Sequence, residues 1–157
     1  MSQTTISGRL AELGKTLPAV NPPRGSYVPA VQAGELLFVA GQAPRLDGEL
    51  KFSGRVGRDL SIEAGREAAE LCALNVLAHL AQACGDDLSR VQAAVRLAGV
   101  VNCAEDFEAH SKVLDAASEL LAALLGERGR HARIATGASS LPSGMAVEVE
   151  AIFQIKP

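Results

Sequence analysis

Two charged side chains near the end of the chain have the types and the spacing to do chemistry together. Arg133 and Glu148 lie fifteen positions apart, within the stretch RHARIATGASSLPSGMAVEVEAIFQI. A guanidinium suits two-point recognition of a carboxylate, and a carboxylate can accept a proton from water. His131, two positions before Arg133, offers a further acid or base, or a cap for a helix end. By themselves, these residue types favour an interfacial salt bridge from Arg133 to Glu148 or Glu150; the alternative is a site for a small anion.

Strands must position these groups. From Val147 to Ile155 every second residue is apolar, so one side of this strand should face the core, with Glu148 on the other side. That other side mixes charge with alanine and isoleucine, which is typical of a subunit interface. We interpret Leu141-Pro142 as the turn of a closing β-hairpin that brings Arg133 and Glu148 into one cleft. Arg133 is then expected to keep Glu148 ionised.

The rest of the chain predicts helices on one side of a sheet. Ser61 and Gly85 have the types preferred at the two ends of a helix, and a second helix should run from about Glu105 to Leu125. Alternation in VQAAVRLAGVV predicts a strand with Val95 on its inner side. Two helices cannot cover both faces of about six strands. The expected fold of residues 1–157 is one α+β domain, a two-layer sandwich with a mostly antiparallel sheet, whose uncovered face indicates an oligomer.

Composition narrows the class of protein. Hydrophobic residues make up 48% of the chain and charged residues 21%, which is typical of a globular domain. A net charge of −3, with four Phe, one Tyr and no Trp, offers neither a basic nor a stacking surface for nucleic acid. No apolar run approaches the roughly 20 residues of a membrane span. Three cysteines without ligand or disulfide spacing predict a cytoplasmic protein that needs no metal or other cofactor.

Four segments, in this order across most of residues 26–155, resemble the RidA/YjgF family, also labelled endoribonuclease L-PSP or chorismate-mutase-like. They are YVPAVQAGELLFVAGQAP, ALNVLAHLAQACGDDLSRVQ, VNCAEDF and RIATGASSLPSGMAVEVEAI. The resemblance implies a chorismate-mutase-like fold and a homotrimer with ligand clefts between subunits. GRVGRDLS is similar to a longer, less characterised branch of that family. Without a P-loop's spacing, we interpret this segment as a turn-rich connection.

In deaminating members of that family, an arginine binds the carboxylate of a 2-imino acid, water attacks the imine carbon, and ammonia leaves. The resemblance assigns the arginine to Arg133 and the water-orienting glutamate to Glu148. It also places Tyr27 and the backbone of Gly41 in the cleft. We therefore expect hydrolysis of small imines or enamines to a carbonyl compound and ammonia. The alternatives are a non-catalytic module that binds a carboxylate metabolite and, less well supported, an endoribonuclease.

Three positions depart from the family's pattern. A serine before the cleft glycine is Ala40 here, an asparagine on the second helix is Ser111, and a cysteine after the arginine is Ala135. With His131, these residues are expected to line the substrate site. The departures leave the ligand open, because they change the side chains that shape the pocket while keeping the arginine and the glutamate.

Overall fold

The computed structural model describes residues 4–157. Within them the chain forms three α-helices and seven β-strands: α1 (Ile6–Glu12), β1 (Ala30–Ala33), β2 (Leu36–Gln42), β3 (Arg45–Leu46), β4 (Glu49–Leu50), α2 (Ile62–Cys84), β5 (Val91–Asn102), α3 (His110–Leu125), β6 (Ala132–Ala138) and β7 (Val147–Ile155). Short 3-10 turns precede β5, follow α3 and precede β7. The predicted helices are present, although α3 begins at His110 and not near Glu105.

Five strands form one sheet in the order β1-β2-β7-β5-β6. Neighbouring strands are antiparallel, except that β5 and β6 run parallel. β3 and β4 form a separate two-stranded ribbon around a turn at Asp47-Gly48, where both residues have positive φ. The mixed α+β fold is confirmed. The sheet has five strands where about six were expected, because the ribbon pairs only with itself.

The predicted closing hairpin is wrong, because β5 lies between β6 and β7. α3 joins β5 to β6 as the crossover that two parallel strands require. Residues 139–146 then carry the chain past β5 to β7. Leu141-Pro142 does mark a turn, the 3-10 turn Pro142–Gly144, but it does not pair the flanking strands. Since adjacent strands are 4.7–4.9 Å apart, the axes of β6 and β7 are separated by about 10 Å.

α2 and α3 cover one face of the sheet. The hydroxyl of Ser61 accepts from the Ala64 N–H at 3.1 Å, and α2 ends at Gly85 in the left-handed region (φ 62°), so both predicted caps are confirmed. The inward residues of β7 are at most 3% exposed: Val147, Val149, Ala151, Phe153 and Ile155. Burying one such side chain as large as Phe153 contributes about 1.5–3 kcal/mol. None of the helices in residues 4–157 combines the length and the apolar character needed to cross a membrane.

The register of β5 against β7 shifts twice, between Val91 and Ala93 and between Ala94 and Arg96. A β-bulge inserts an extra residue and interrupts the alternation of faces. Ala94 is therefore buried, while Val95, expected on the inner side, is 39% exposed. The prediction for Val95 was wrong because the alternation of apolar residues in the sequence does not show where a bulge lies.

The sheet face turned away from α2 and α3, here called the open face, is rich in apolar side chains. Val31, Leu36, Phe38 and Ile134 lie on it and are each between 37% and 52% exposed. Register places Phe38 opposite both Val31 and Ile152, so these side chains are contiguous. A continuous exposed apolar surface is typical of a site where another protein chain binds.

Candidate functional site

Glu148, Gly41 and Tyr27 lie together on the wall of one cavity of about 380 Å³, here called the glutamate cavity. The remaining lining comes mainly from the segment before β1, the β2–β3 connection and the turn before β7: Asn21, Pro22, Pro23, Arg24, Pro29, Gln42, Ala43, Arg45, Pro142, Ser143 and Met145. Four of these residues are prolines, which restrict the backbone. The cavity is therefore rigidly walled, and it has the size of a small-molecule site.

Gly41 lies in an irregularity of β2, where the register against β7 shifts between Val39 and Gln42. A Cβ atom at position 41 would overlap the Glu148 carboxylate. Glycine is thus needed here so that the glutamate can lie close against the backbone of β2. Ala40, just before it, donates its N–H to the Pro29 carbonyl at 2.9 Å and is not among the residues that line the cavity.

Tyr27 is half exposed, at 51%. Its hydroxyl accepts a long hydrogen bond from the Arg24 backbone N–H, at 3.4 Å. Gly25 lies beneath the ring, where a Cβ atom would come within 3.2 Å of a ring carbon. Both contacts come from the segment before β1, and the tyrosine lines the cavity.

Glu148 is half-buried, and its electrostatic environment differs from the expected one. Burial, and secondly the nearby Glu150, raise the pKa of Glu148 above its ordinary value. Among residues 4–157 no ion pair joins Glu148 to a cation; Glu150 is the one that faces Arg96, at 3.9 Å. Within one chain the Arg133 guanidinium lies elsewhere, so the expectation that it keeps Glu148 ionised stays a prediction about neighbouring chains. Within that chain the carboxyl titrates closer to neutral pH than an exposed glutamate.

Arg133 belongs to a second group, here called the arginine cluster: Arg133, Asp115, Ser118 and His131. Its Nη1 donates to Asp115 Oδ1 at 2.8 Å and to Ser118 Oγ at 3.1 Å. The Arg133 side chain is only 20% exposed. Within the described chain, the ion-pair partner of Arg133 is Asp115; a salt bridge to Glu148 or Glu150 across an interface stays a prediction. Within residues 4–157, the Nε and Nη2 donors of Arg133 make no hydrogen bond.

His131 contacts Ser118 and the backbone of Gly129. Its Nδ1 lies 2.7 Å from the Gly129 carbonyl oxygen, and a carbonyl can only accept, so Nδ1 carries the proton. In neutral His131, Nε2 then accepts from the Ser118 hydroxyl at 2.8 Å, and that hydroxyl accepts in turn from Arg133. His131 therefore positions Ser118 and, through it, the guanidinium. Its expected place in the substrate site stays a prediction.

Ser111 and Ala135 flank the arginine cluster. Ser111, Asp115 and Ser118 are spaced by four and three positions on α3, so they lie on one stripe of the helix. Ser111 is exposed in the first turn, and Ala135 packs against the core from the same face of β6 as Arg133. Sequence reasoning missed Asp115 and Ser118. The signal that would have found them is this stripe, which begins at the expected residue Ser111.

In one chain, Arg133 and Glu148 lie on opposite faces of the sheet. Arg133 is level with Leu97 of β5, which is buried beneath the helices. Glu148 is level with Val100 of the same strand. Leu97 and Val100 are three residues apart on a regular part of β5, so they point to opposite sides. The structure thus brings together Tyr27, Gly41 and Glu148, separately groups Arg133 with His131, and does not unite the two groups.

The cysteines and the remaining histidines lie outside the two groups described above. Cys103 Sγ lies 3.5 Å from His110 Nε2, and the His110 ring meets Phe107 edge-on. His79 is buried, which lowers its pKa. All three cysteines are free thiols, and residues 4–157 contain no group of three or more His, Cys, Asp or Glu side chains arranged to hold a metal ion.

Comparison with known proteins places this chain in a family. Residues 7–151 match the family described as "YjgF/chorismate_mutase-like, putative endoribonuclease". The chain therefore belongs to the RidA/YjgF family, as the four sequence segments predicted. Protein TCP17 of Trypanosoma cruzi is 40% identical over 151 residues, which cover 96% of this chain and 94% of that protein.

Two solved structures share the fold closely. The Agrobacterium tumefaciens protein Atu1372, whose function is unknown, superposes with a TM-score of 0.90 at 44% identity and covers 96% of this chain and 92% of its own. A Shewanella oneidensis protein described as "a putative endoribonuclease" superposes with a TM-score of 0.92 at 37% identity, over 96% of this chain and 99% of its own.

Proposed function

We propose that this protein hydrolyses small carboxylate-bearing imines or enamines, such as 2-imino acids, to a carbonyl compound and ammonia. The observation that carries the proposal is a pair of complementary, incomplete sites. One holds an arginine with unused donors, and the other holds a half-buried carboxyl on the wall of a rigid cavity. The first site supplies a cation for the carboxylate of the substrate, and the second supplies a carboxyl that can take part in proton transfer.

The arginine cluster supports recognition of a carboxylate. Asp115 and Ser118 both engage Nη1 of Arg133, so the guanidinium is held in one orientation. The adjacent Nε and Nη2 donors lie in one plane and match the two oxygens of a carboxylate. Because the arginine is already ordered, little conformational entropy is lost when the anion binds.

A second copy of the chain is needed to complete the site, since Arg133 and Glu148 lie on opposite faces of one sheet. The apolar open face favours association, and β6, which carries Arg133, is at the edge of the sheet where a neighbour can approach. We propose a homotrimer in which Arg133 of one subunit faces the glutamate cavity of the next. Cyclic symmetry then gives three equivalent clefts.

Glu148 would act on water in this cleft. It accepts a proton as the water oxygen bonds to the imine carbon, while the C=N electron pair moves to nitrogen, which takes up a proton. The resulting carbinolamine loses ammonia as its hydroxyl becomes the carbonyl. A carboxyl whose pKa is raised toward neutral can both accept and return the proton. The sequence of steps is redox-neutral and uses only water, so we expect no cofactor.

The direct test follows ammonia release from a 2-imino acid generated in the cuvette by an amino-acid oxidase. The wild-type protein should accelerate release above the spontaneous rate. If it binds 2-oxo acids without accelerating release, the protein is a regulatory binding module and the proposal fails. Cleavage of RNA without any effect on imines would favour the endoribonuclease alternative.

Hybrid oligomers test the composite site. Arg133→Ala and Glu148→Gln proteins, which we expect to be only weakly active at low substrate concentration, are mixed at equal amounts, unfolded and refolded together. In a cyclic trimer every mixed assembly has one cleft with both residues intact, so activity should return to about one quarter of the wild-type value. A site built within one chain would give no recovery, and refolding each variant separately provides the control.

A further inference from the structure

The glutamate cavity contains two arginines for which the proposed hydrolysis has no use. Arg45 is half-buried at the start of β3, and Arg24 is exposed in the segment before β1. Both line the same cavity as Glu148. A cavity that only had to activate water would need neither of them.

Among the residues that the structure describes, Arg45 has no partner for its charge. It is the one arginine in residues 4–157 whose guanidinium makes neither a hydrogen bond nor an ion pair. Arg24 has only a 3.5 Å contact from Nη2 to the Gly48 carbonyl oxygen. Two neighbouring cations without a carboxylate between them repel each other, and an anion placed there would offset that cost.

The backbone of Arg45 is held in place by α2. Asn75, buried on that helix, donates from Nδ2 to the carbonyl oxygens of Ala43 and Arg45, both at 2.9 Å. Lys51 closes the ribbon behind it by donating its N–H to the Pro44 carbonyl at 2.9 Å. These hydrogen bonds hold the backbone of Arg45 in place, as a residue that binds a ligand requires.

We propose that Arg45, assisted by Arg24, binds a second carboxylate of the ligand, so that the ligand is a dicarboxylic imine or enamine. This inference rests on the proposed function for the first carboxylate, which Arg133 of a neighbouring copy binds. A four- or five-carbon dicarboxylate fits within about 380 Å³, and planar guanidinium groups match a carboxylate at each end.

Calorimetry with a matched pair of 2-oxo acids tests the inference. 2-Oxoglutarate and 2-oxopentanoate have the same number of carbon atoms and differ in whether the far end is a carboxylate or a methyl group. The wild-type protein should bind 2-oxoglutarate about tenfold to a hundredfold more tightly. Arg45→Gln should abolish that preference while leaving the affinity for 2-oxopentanoate unchanged, and Arg24→Gln should reduce it by a smaller factor.

Arg58→Gln is the matched control, because Arg58 pairs with Asp59 at 3.1 Å and does not line the cavity. Equal wild-type affinity for the two acids, or a preference that survives Arg45→Gln, overturns the inference and leaves the proposed hydrolysis standing. Glutarate, which has no oxo group, separates the two ideas. If it binds with dependence on Arg45 but not on Arg133, the anion site stands while the proposed cleft fails; if neither 2-oxo acids nor glutarate bind, the anion site is wrong. A phosphorylated 2-oxo acid bound more tightly than 2-oxoglutarate would also contradict the assignment to a carboxylate.

Discussion

The arginine cluster and the glutamate cavity meet opposite electrostatic requirements. Arg133 is paired with Asp115 and oriented by Ser118, so its charge is permanent and its direction fixed. Glu148 has no paired cation among the described residues, and burial raises its pKa. Recognition of an anion requires a constant charge, whereas proton transfer requires a group that titrates near the working pH. The two environments differ in the way that the proposed roles of anion binding and proton transfer require.

The two regions also differ in their position in the sheet. β6 is an edge strand, and β7 is the central strand between β2 and β5. A residue on an edge can reach a neighbouring subunit, while a residue on a central strand is fixed from both sides. This difference favours a proposed cleft in which Glu148 belongs to the subunit that forms the cavity and Arg133 comes from the neighbouring subunit.

The largest expected effect is that of Glu148→Gln. Loss of the proton acceptor should lower the rate of ammonia release by about 10²- to 10⁴-fold. Affinity for 2-oxo acids should not change, because the arginine that binds the carboxylate is intact. Single-turnover kinetics with calorimetry separates the two quantities. Glu150→Gln is the control, since this exposed residue lies two positions along the same face and outside the cavity; an equal loss of rate in both variants would remove the role of Glu148.

Arg133→Ala should weaken binding of a 2-oxo acid by about tenfold to a hundredfold, since a charge-assisted hydrogen bond contributes about 1.5–3 kcal/mol. The proposed trimer should stay folded, because the side chain lies at the sheet edge. Calorimetry measures the affinity, and light scattering and circular dichroism report assembly and fold. Arg96→Ala should bind normally, because Arg96 lies on the open face and pairs with Glu150 rather than with Asp115. Unchanged affinity in the Arg133 variant would show that the anion binds elsewhere.

The smallest expected effect is on stability. A carboxyl whose folded pKa is raised contributes stability that is fully present below its unfolded pKa of about 4.3 and lost as pH rises through the folded pKa. Glutamine mimics the protonated form, so Glu148→Gln should melt at a higher temperature than wild type at pH 8 and at the same temperature at pH 4. Thermal denaturation across that range checks this. A constant difference at every pH would mean that the pKa of Glu148 is not the cause.

Much of the fold could be predicted from local patterns. Ser61 and Gly85 defined α2 because capping depends on neighbouring backbone groups. The buried side of β7 followed from alternation within one strand. Family segments identified Arg133 and Glu148, yet the partners of Arg133 were missed because Asp115 is separated from it by eighteen positions.

The pairing of strands could not be predicted in the same way. A turn at Leu141-Pro142 is compatible with a hairpin and also with a connection that passes β5, and the sequence does not distinguish them. The sequence also does not show where the bulges in β5 lie, so the buried residue is Ala94 and not Val95 as expected. Strand pairing and register depend on how well strands that are distant in the sequence pack against one another.

By itself, the sequence determined which groups are available, a guanidinium at Arg133 and a carboxyl at Glu148, and the side that β7 turns toward the core. Tertiary structure decided that these two groups lie on opposite faces of one sheet and that an unpaired Arg45 joins the cavity of Glu148. Alternation relates residues within a strand, whereas the relation between two strands depends on register and on what lies between them. Since β5 lies between β6 and β7, the proposed site can be completed only by a second chain.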